Sequence, residues 1–337
     1  MTAPLAAIFG VSGPELTGDE RAFLRDADPL GFILFGRNCE EPTTIRTLTA
    51  QLRDCVGRSE APVLIDQEGG TVMRLRPPNW LDAPAARTLG TLFMREPDRA
   101  MGAAHALGGL FGVELRDLGI DVDCAPVADL DLPETTAAIG SRAYSDKPDV
   151  IASLARQMAN GLMQEGCLPV IKHMPGHGRG KVDSHCALPR VDTDIEILKK
   201  SDFSVFRALR DQPLGMSAHI VFEAVDPGAP ATISRRVIDE VIRNDIGFDG
   251  FLFSDDIAMS ALQGKSTDRT RNVLAAGCDA VLHCNGDLSE MMEVAAVAMP
   301  LSEKAQARWA RALAMRPTPA GLKIEYYADK LAQNLHG

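Results

Sequence analysis

The sequence predicts a single-domain α/β protein folded as a (β/α)₈ barrel of the TIM type. Three observations carry that expectation. Eight short apolar runs alternate with longer helical patterns along 337 residues, the pattern of a parallel sheet wound through helices. Polar or ionisable residues follow the runs at Asp66, Lys172-His173, His219 and Asp255, and the strand ends of a barrel share one mouth. No low-complexity linker or shift of composition divides the chain. One domain therefore spans 1–337, with extra helices from about 303 packed outside the barrel. Eight units over this length fit a closed barrel better than an open doubly wound sheet.

Taken in order, the apolar runs 6–11, 31–35 and 62–65 are the first three strands, short and bounded by turn residues. Between them, 19–27 and 42–55 read as helices, the second with Thr43 or Thr44 near its start. A long amphipathic helix over 99–118 stops at Gly119, and 148–165 stops at Gly166, the residue that most readily leaves a helix. Strands follow at 122–127 and 168–171, then at 214–218, 251–253 and 280–283. Helices are expected at 194–210, 237–244 and 267–276, the last stopped by Gly277. The segments 288–298, 303–314 and 321–335 finish the chain as helices.

Composition narrows the function. Hydrophobic residues make up 45% of the chain, enough for a large core, and the net charge is −11. That charge argues against a nucleic-acid partner and against an anionic membrane surface. Seven cysteines, an odd number with no CxxC pair, lie mostly in apolar surroundings and point to a reducing, cytoplasmic compartment. The N-terminus lacks the basic start of a signal peptide, and no apolar run is long enough to cross a bilayer.

The chemistry concentrates in 171–185, IKHMPGHGRGKVDSH. Three histidines, two lysines, an arginine and an aspartate follow an apolar run, where packing asks for none of them. Asp183 stands two residues before His185, a spacing that lets a carboxylate orient an imidazole for proton transfer. The stretch between Gly176 and Asp183 is glycine-rich and basic, so it reads as a loop able to close over a ligand. After the seventh apolar run, Asp255 and Asp256 are adjacent. One carboxylate can face the pocket as a nucleophile while its neighbour turns away; helix capping by the pair is the plainer alternative. Arg74, Arg142 and Lys172 are fixed cations, and Asp66 can accept from two hydroxyls at once. Cations and carboxylates at one mouth suit a sugar.

These residues also resemble a known family. Lys172-His173-Met174-Pro175-Gly176-His177-Gly178 followed by Asp183-Ser184-His185 is similar to the signature of glycoside hydrolase family 3. So are Val241-Ile242-Arg243 with Asp245 and Gly250 to Asp255, Asp66-Gln67-Glu68-Gly69-Gly70 with Arg74, Ala125 to Asp129, and Gly140-Ser141-Arg142. The matches run from about Gly31 to Gly286 and resemble most closely the family's cytoplasmic β-N-acetylglucosaminidases of peptidoglycan recycling. The resemblance implies Asp255 as nucleophile, His185 as general acid/base and Asp183 as its partner. It implies that Asp66, Arg74, Arg142, Lys172 and His173 bind an N-acetylglucosamine unit (GlcNAc). Met174 replaces the Phe common in the family, with similar bulk. Many members carry a second domain that supplies a glutamate acid/base; this chain stops after the barrel and its helices, which implies the His-dependent branch.

The expected activity is therefore retaining removal of non-reducing terminal GlcNAc from muropeptides bearing 1,6-anhydro-MurNAc. The expected partner is a small carbohydrate, with no cofactor, no metal, no nucleic acid and no membrane; protein partners stay open. One alternative is a GlcNAc phosphorylase on the same scaffold, since a histidine repels phosphate less than a glutamate does. A metal-dependent amidohydrolase using His173, His177, His185 and Asp255 is disfavoured by the tight HxxxH and the absence of an HxH on the first strand. A catalytically dead sugar binder ranks last, because every expected catalytic residue type is present.

Overall fold

The computed structural model describes residues 3–184 and 187–336. Eight parallel strands close into a barrel: β1 Leu5–Gly10, β2 Pro29–Leu34, β3 Val63–Ile65, β4 Val122–Asp123, β5 Leu168–Met174, β6 Leu214–Ser217, β7 Phe251–Asp256 and β8 Ala280–His283. Each pairs with its neighbours in sequence, and β8 closes on β1 through Ala7 opposite Val281 and Phe9 opposite His283. The eight-stranded barrel is the fold the sequence predicts.

Alternation along the strands builds two cores. Ala6 and Ile8 on β1, Val170 on β5, and Phe251 and Phe253 on β7 face the barrel interior. Their neighbours Ala7, Phe9, Ile171 and Leu252 pack outward against the helices. That is the two-residue period of a strand buried on both faces.

The helices start and stop for local reasons. In α1, Gly18–Ala27, Thr17 Oγ1 accepts the Glu20 amide at 3.1 Å and Glu20 Oε2 accepts the Thr17 amide at 2.9 Å, a reciprocal cap. Proline opens α2 (Pro42–Val56), α4 (Pro97–Asp117) and α5 (Pro148–Gln164), where its missing N–H costs nothing. A helix over Ala86–Phe93, α3, was not expected; it follows a proline-rich loop that masks its short apolar face. The helix expected at 194–210 is two, α6 Ile195–Lys200 and α7 Asp202–Ala208, broken at Ser201 with φ −116° and ψ −92°. Val237–Asp245 is helical as expected but wound with wider i→i+5 bonds, such as Ile246 N to Val241 O. Helices α8 Ser266–Ala276 and α9 Leu288–Ala295 complete the outer ring.

The two last helices differ in placement. α10, Glu303–Met315, does not merely lie outside the barrel. Its Trp309 packs edge-on against Phe251 at 5.4 Å and Phe253 at 6.5 Å, and with Leu301, Ala305 and Ala312 it joins the interior core at the N-terminal ends of the strands. α11, Ile324–His336, lies against α4, where the Tyr327 ring occupies the space a side chain at Gly109 would fill. Among the described residues no helix is long and apolar enough to cross a membrane.

Candidate active site

The pocket lies at the C-terminal ends of the strands. Asp66, Glu68, Arg74, Arg142, Lys172, His173, His177, Asp183, Asp255 and Asp256 all line it. Of the residues to which the sequence gave a catalytic or sugar-binding role, all but one thus meet there. The exception, His185, lies outside the described residues.

The loop after β3 builds one wall. Asp66 Oδ1 accepts from Lys172 Nζ at 2.7 Å and Oδ2 from Arg74 Nη2 at 2.9 Å. The sequence suggested that both oxygens were open to hydroxyls; in the structure each already carries a protein donor. Burial alone would raise the Asp66 pKa, but the adjacent Lys172 and Arg74 charges hold it well below the usual carboxylate range. Gln67 turns the other way. Its side chain accepts the amides of Arg74 (2.9 Å) and Leu75 (3.1 Å), which fixes the segment carrying Arg74. Gly69 and Gly70 make the hairpin between them, at φ 96° and 62°, against the Pro84 carbonyl and the Ala85 methyl, where a Cβ has no room. Arg74 also lies over the Phe35 ring at 4.9 Å.

Glu68 is a site residue that sequence reasoning quoted within a motif but gave no role. It pairs ionically with Lys172 Nζ at 2.6 Å and accepts, in a two-pronged bond, from Arg142 Nε at 2.7 Å and Nη2 at 2.8 Å. Burial opposes charge on both cations, yet the carboxylates raise Lys172 and Arg142 above their ordinary values, so both stay cationic. The motif adjacency of Asp66 and Glu68 was the available signal: alternate residues after a strand share a face.

Asp129, which the sequence reading quoted only within a motif, holds two histidines. Its Oδ2 bonds His173 Nδ1 at 2.7 Å, and its Oδ1 accepts the His177 amide at 2.7 Å. That leaves the other nitrogen of His173 for the pocket. The Lys172–His173 and Met174–Pro175 peptide bonds are cis.

At the end of β7 the two aspartates part company. Asp256 Oδ1 accepts the amides of Ala258 (3.0 Å) and Cys284 (3.1 Å). Asp255 Oδ1 accepts only the near amide of Asp256, at 2.8 Å, among the bonds described. Burial would raise the Asp255 pKa, but the His173 and His219 imidazoles, the Asp256 amide and Lys172 lower it below the ordinary value. Burial and the repulsion of Asp255 raise that of Asp256, against those two amides. His219, also without a role in the sequence reading, sits fully buried behind this pair, with Nε2 bonded to the Asp256 carbonyl at 2.9 Å and Nδ1 to Thr232 Oγ1 at 2.9 Å.

The loop after β5 differs from expectation in its first half. Arg179 bonds Asp202 at 2.7 Å, Thr136 N donates to Gly180 O at 2.9 Å, and Thr135 Oγ1 donates to Gly178 O. A Cβ on Gly178 would meet Leu130 O at 2.3 Å. This glycine permits close packing of a tied-down segment and is not a source of freedom. Further on, Ser184 O accepts the Ala261 amide at 3.2 Å, so the loop touches the segment after β7. Among the described residues no three His, Cys, Asp or Glu side chains are grouped to hold a metal ion.

The model of the "Glycosyl hydrolase family 3 N terminal domain" matches residues 9–312. The chain belongs to glycosyl hydrolase family 3. Among its relatives is a beta-hexosaminidase of Nitrosomonas eutropha, 38% identical over 284 residues, covering 82% of this chain and 80% of the relative. Another, from Pseudomonas aeruginosa, is 37% identical over 293 residues, covering 86% and 85%. Among solved structures, NagZ of Neisseria gonorrhoeae in complex with N-trifluoroacetyl-D-glucosamine superposes with a TM-score of 0.88 at 29% identity, covering 99% of this chain and 98% of that one.

Proposed function

We infer that this barrel is a retaining exo-β-N-acetylglucosaminidase, a single catalytic domain with Asp255 as its nucleophile. The observation that carries the reading is the division of labour at β7: Asp256 is bound by two backbone amides of the neighbouring loop and strand, while ionised Asp255 lies in a pocket walled by Asp66, Arg74, Glu68, Lys172, Arg142 and His173. A low-pKa carboxylate on a rigid strand is suited to attack carbon, and the fixed donors suit one sugar ring.

In the first step an Asp255 oxygen bonds to the anomeric carbon as the bond to the aglycone oxygen breaks. His185 gives that oxygen its proton. In the second step water attacks the glycosyl ester and passes a proton to His185, the ester breaks, and Asp255 and β-GlcNAc are restored. Two inversions retain configuration. Asp183 orients the His185 ring and stabilises its cationic form. The negative charge of Asp255 stabilises the oxocarbenium-like transition state.

The physiological substrates in this reading are muropeptides bearing GlcNAc on 1,6-anhydro-MurNAc, processed in the cytoplasm. Six free cysteines among the described residues, five of them buried, support a reducing compartment. The test is turnover of an aryl β-GlcNAc beside the matching β-glucoside, with and without phosphate. Free GlcNAc is expected in both buffers, with the glucoside at least 10²-fold slower, because buried polar groups left unmatched are costly. Equal rates on the two glycosides, or release of GlcNAc-1-phosphate, would overturn it.

A further inference from the structure

His177 has no role in the chemistry above, yet its surroundings are those of a ligand contact. It lines the pocket and is only 3% exposed. Its backbone is fixed by the bond from its amide to Asp129. Its ring stands edge-on to His173, 5.8 Å between centroids, and Gly180 covers one side, where a Cβ would come within 3.1 Å of Nδ1 and Cε1. Among the described residues neither ring nitrogen has a hydrogen-bond partner. A buried imidazole left in that state is costly. Packing does not call for it, because an apolar side chain would fill the space at no such cost.

We propose that His177 is a substrate-binding residue, a neutral imidazole whose free ring nitrogens hydrogen-bond the uncharged polar groups of the sugar unit lying against Asp255. Neutral imidazole is both donor and acceptor, so it matches a hydroxyl or an amide. Burial favours the neutral form and pulls the pKa down to about 4, against the opposing pull of Asp129 and Asp255. That state also suits the place: an imidazolium beside Asp255 would pair with the nucleophile and blunt it. The groups facing the ring are His173, Asp129 and Asp255, with Gly180 above.

The inference rests on the sugar reading of the pocket, and the experiment separates the two. Full-length protein labelled with ¹⁵N in its histidine rings is titrated with GlcNAc, and the dissociation constant is measured in parallel for wild type, His177→Ala and His177→Asn. The His177 ring nitrogens are expected to shift on saturation, the Kd to rise about tenfold or more in His177→Ala, and His177→Asn, which keeps a donor and an acceptor, to recover part of the loss. Wild type that binds GlcNAc while its His177 nitrogens stay still overturns the inference alone; so does a ring that only holds a structural water, whose signals and Kd ignore the sugar. Wild type that neither binds GlcNAc nor cleaves its aryl glycoside overturns the sugar reading and this inference with it. Should His177→Ala fail to fold, the wild-type titration still decides.

Discussion

Asp255 and Asp256 are neighbours on β7, and only Asp256 caps amides of other segments, those of Ala258 and Cys284. Removing it leaves two donors without an acceptor, at about 1–3 kcal/mol for a buried group. Asp256→Ala is therefore expected to lower stability by roughly 2 kcal/mol and to keep measurable turnover. Asp255→Ala should leave the urea midpoint near that of wild type and cut turnover by about 10⁴-fold or more, the usual scale for a lost nucleophile. Urea titration and steady-state rates on both variants check this. If Asp255→Ala is the destabilised and active one, the two roles are exchanged.

Among the elements, α4 carries an unusual burden. Glu114 is buried on it, with one oxygen lacking any partner among the described residues. Burial pushes its pKa up to about 7, against a single backbone hydrogen bond at Leu81. Between the ordinary carboxylate value and about 7, folded Glu114 holds a proton that the unfolded chain has released, so stability falls as pH rises through that window. With about 1.4 kcal/mol for each pKa unit, Glu114→Gln should be more stable than wild type by roughly 3 kcal/mol at pH 8. The advantage should vanish near pH 4. Urea midpoints that run parallel for the two proteins across this range would remove the assignment.

At the scale of the molecule, α10 is the stopper of the barrel. Beside Trp309, the buried guanidinium of Arg308 bonds Asp279 Oδ1 at 2.9 Å and Asp249 Oδ1 at 2.9 Å. Asp279 in turn bonds Arg243 at 3.0 Å and accepts the Leu252 amide at 2.9 Å, so the network ties the helix to β7 and to the turn before it. Breaking one member of a buried ionic network costs about 3–5 kcal/mol. Arg308→Met is expected to lose about that much stability, with kcat of the remaining folded enzyme nearly unchanged, since the pocket opens at the opposite end. A loss of kcat at full stability would mean that α10 acts on the site and not on the barrel's closure.

The sequence alone determined the eight strands, most of the helices and the strand ends that carry Asp66, Lys172, His173 and Asp255. These depend on period-two alternation, amphipathic stripes and stop residues, all read from near neighbours. The motifs likewise led to the family, because each keeps its residues within a few positions. Only the tertiary structure decided who pairs with whom. Lys172 meets Asp66 across 106 residues and Arg142 meets Glu68 across 74, and no local pattern encodes such partners. Close approach decided the rest. Gly178 looked like a hinge until Leu130 O stood 2.3 Å from its missing Cβ, and α10 looked like an outer helix until Trp309 met Phe251 and Phe253 inside the barrel. Contacts between distant segments exist only once the barrel has closed and brought its loops to one mouth.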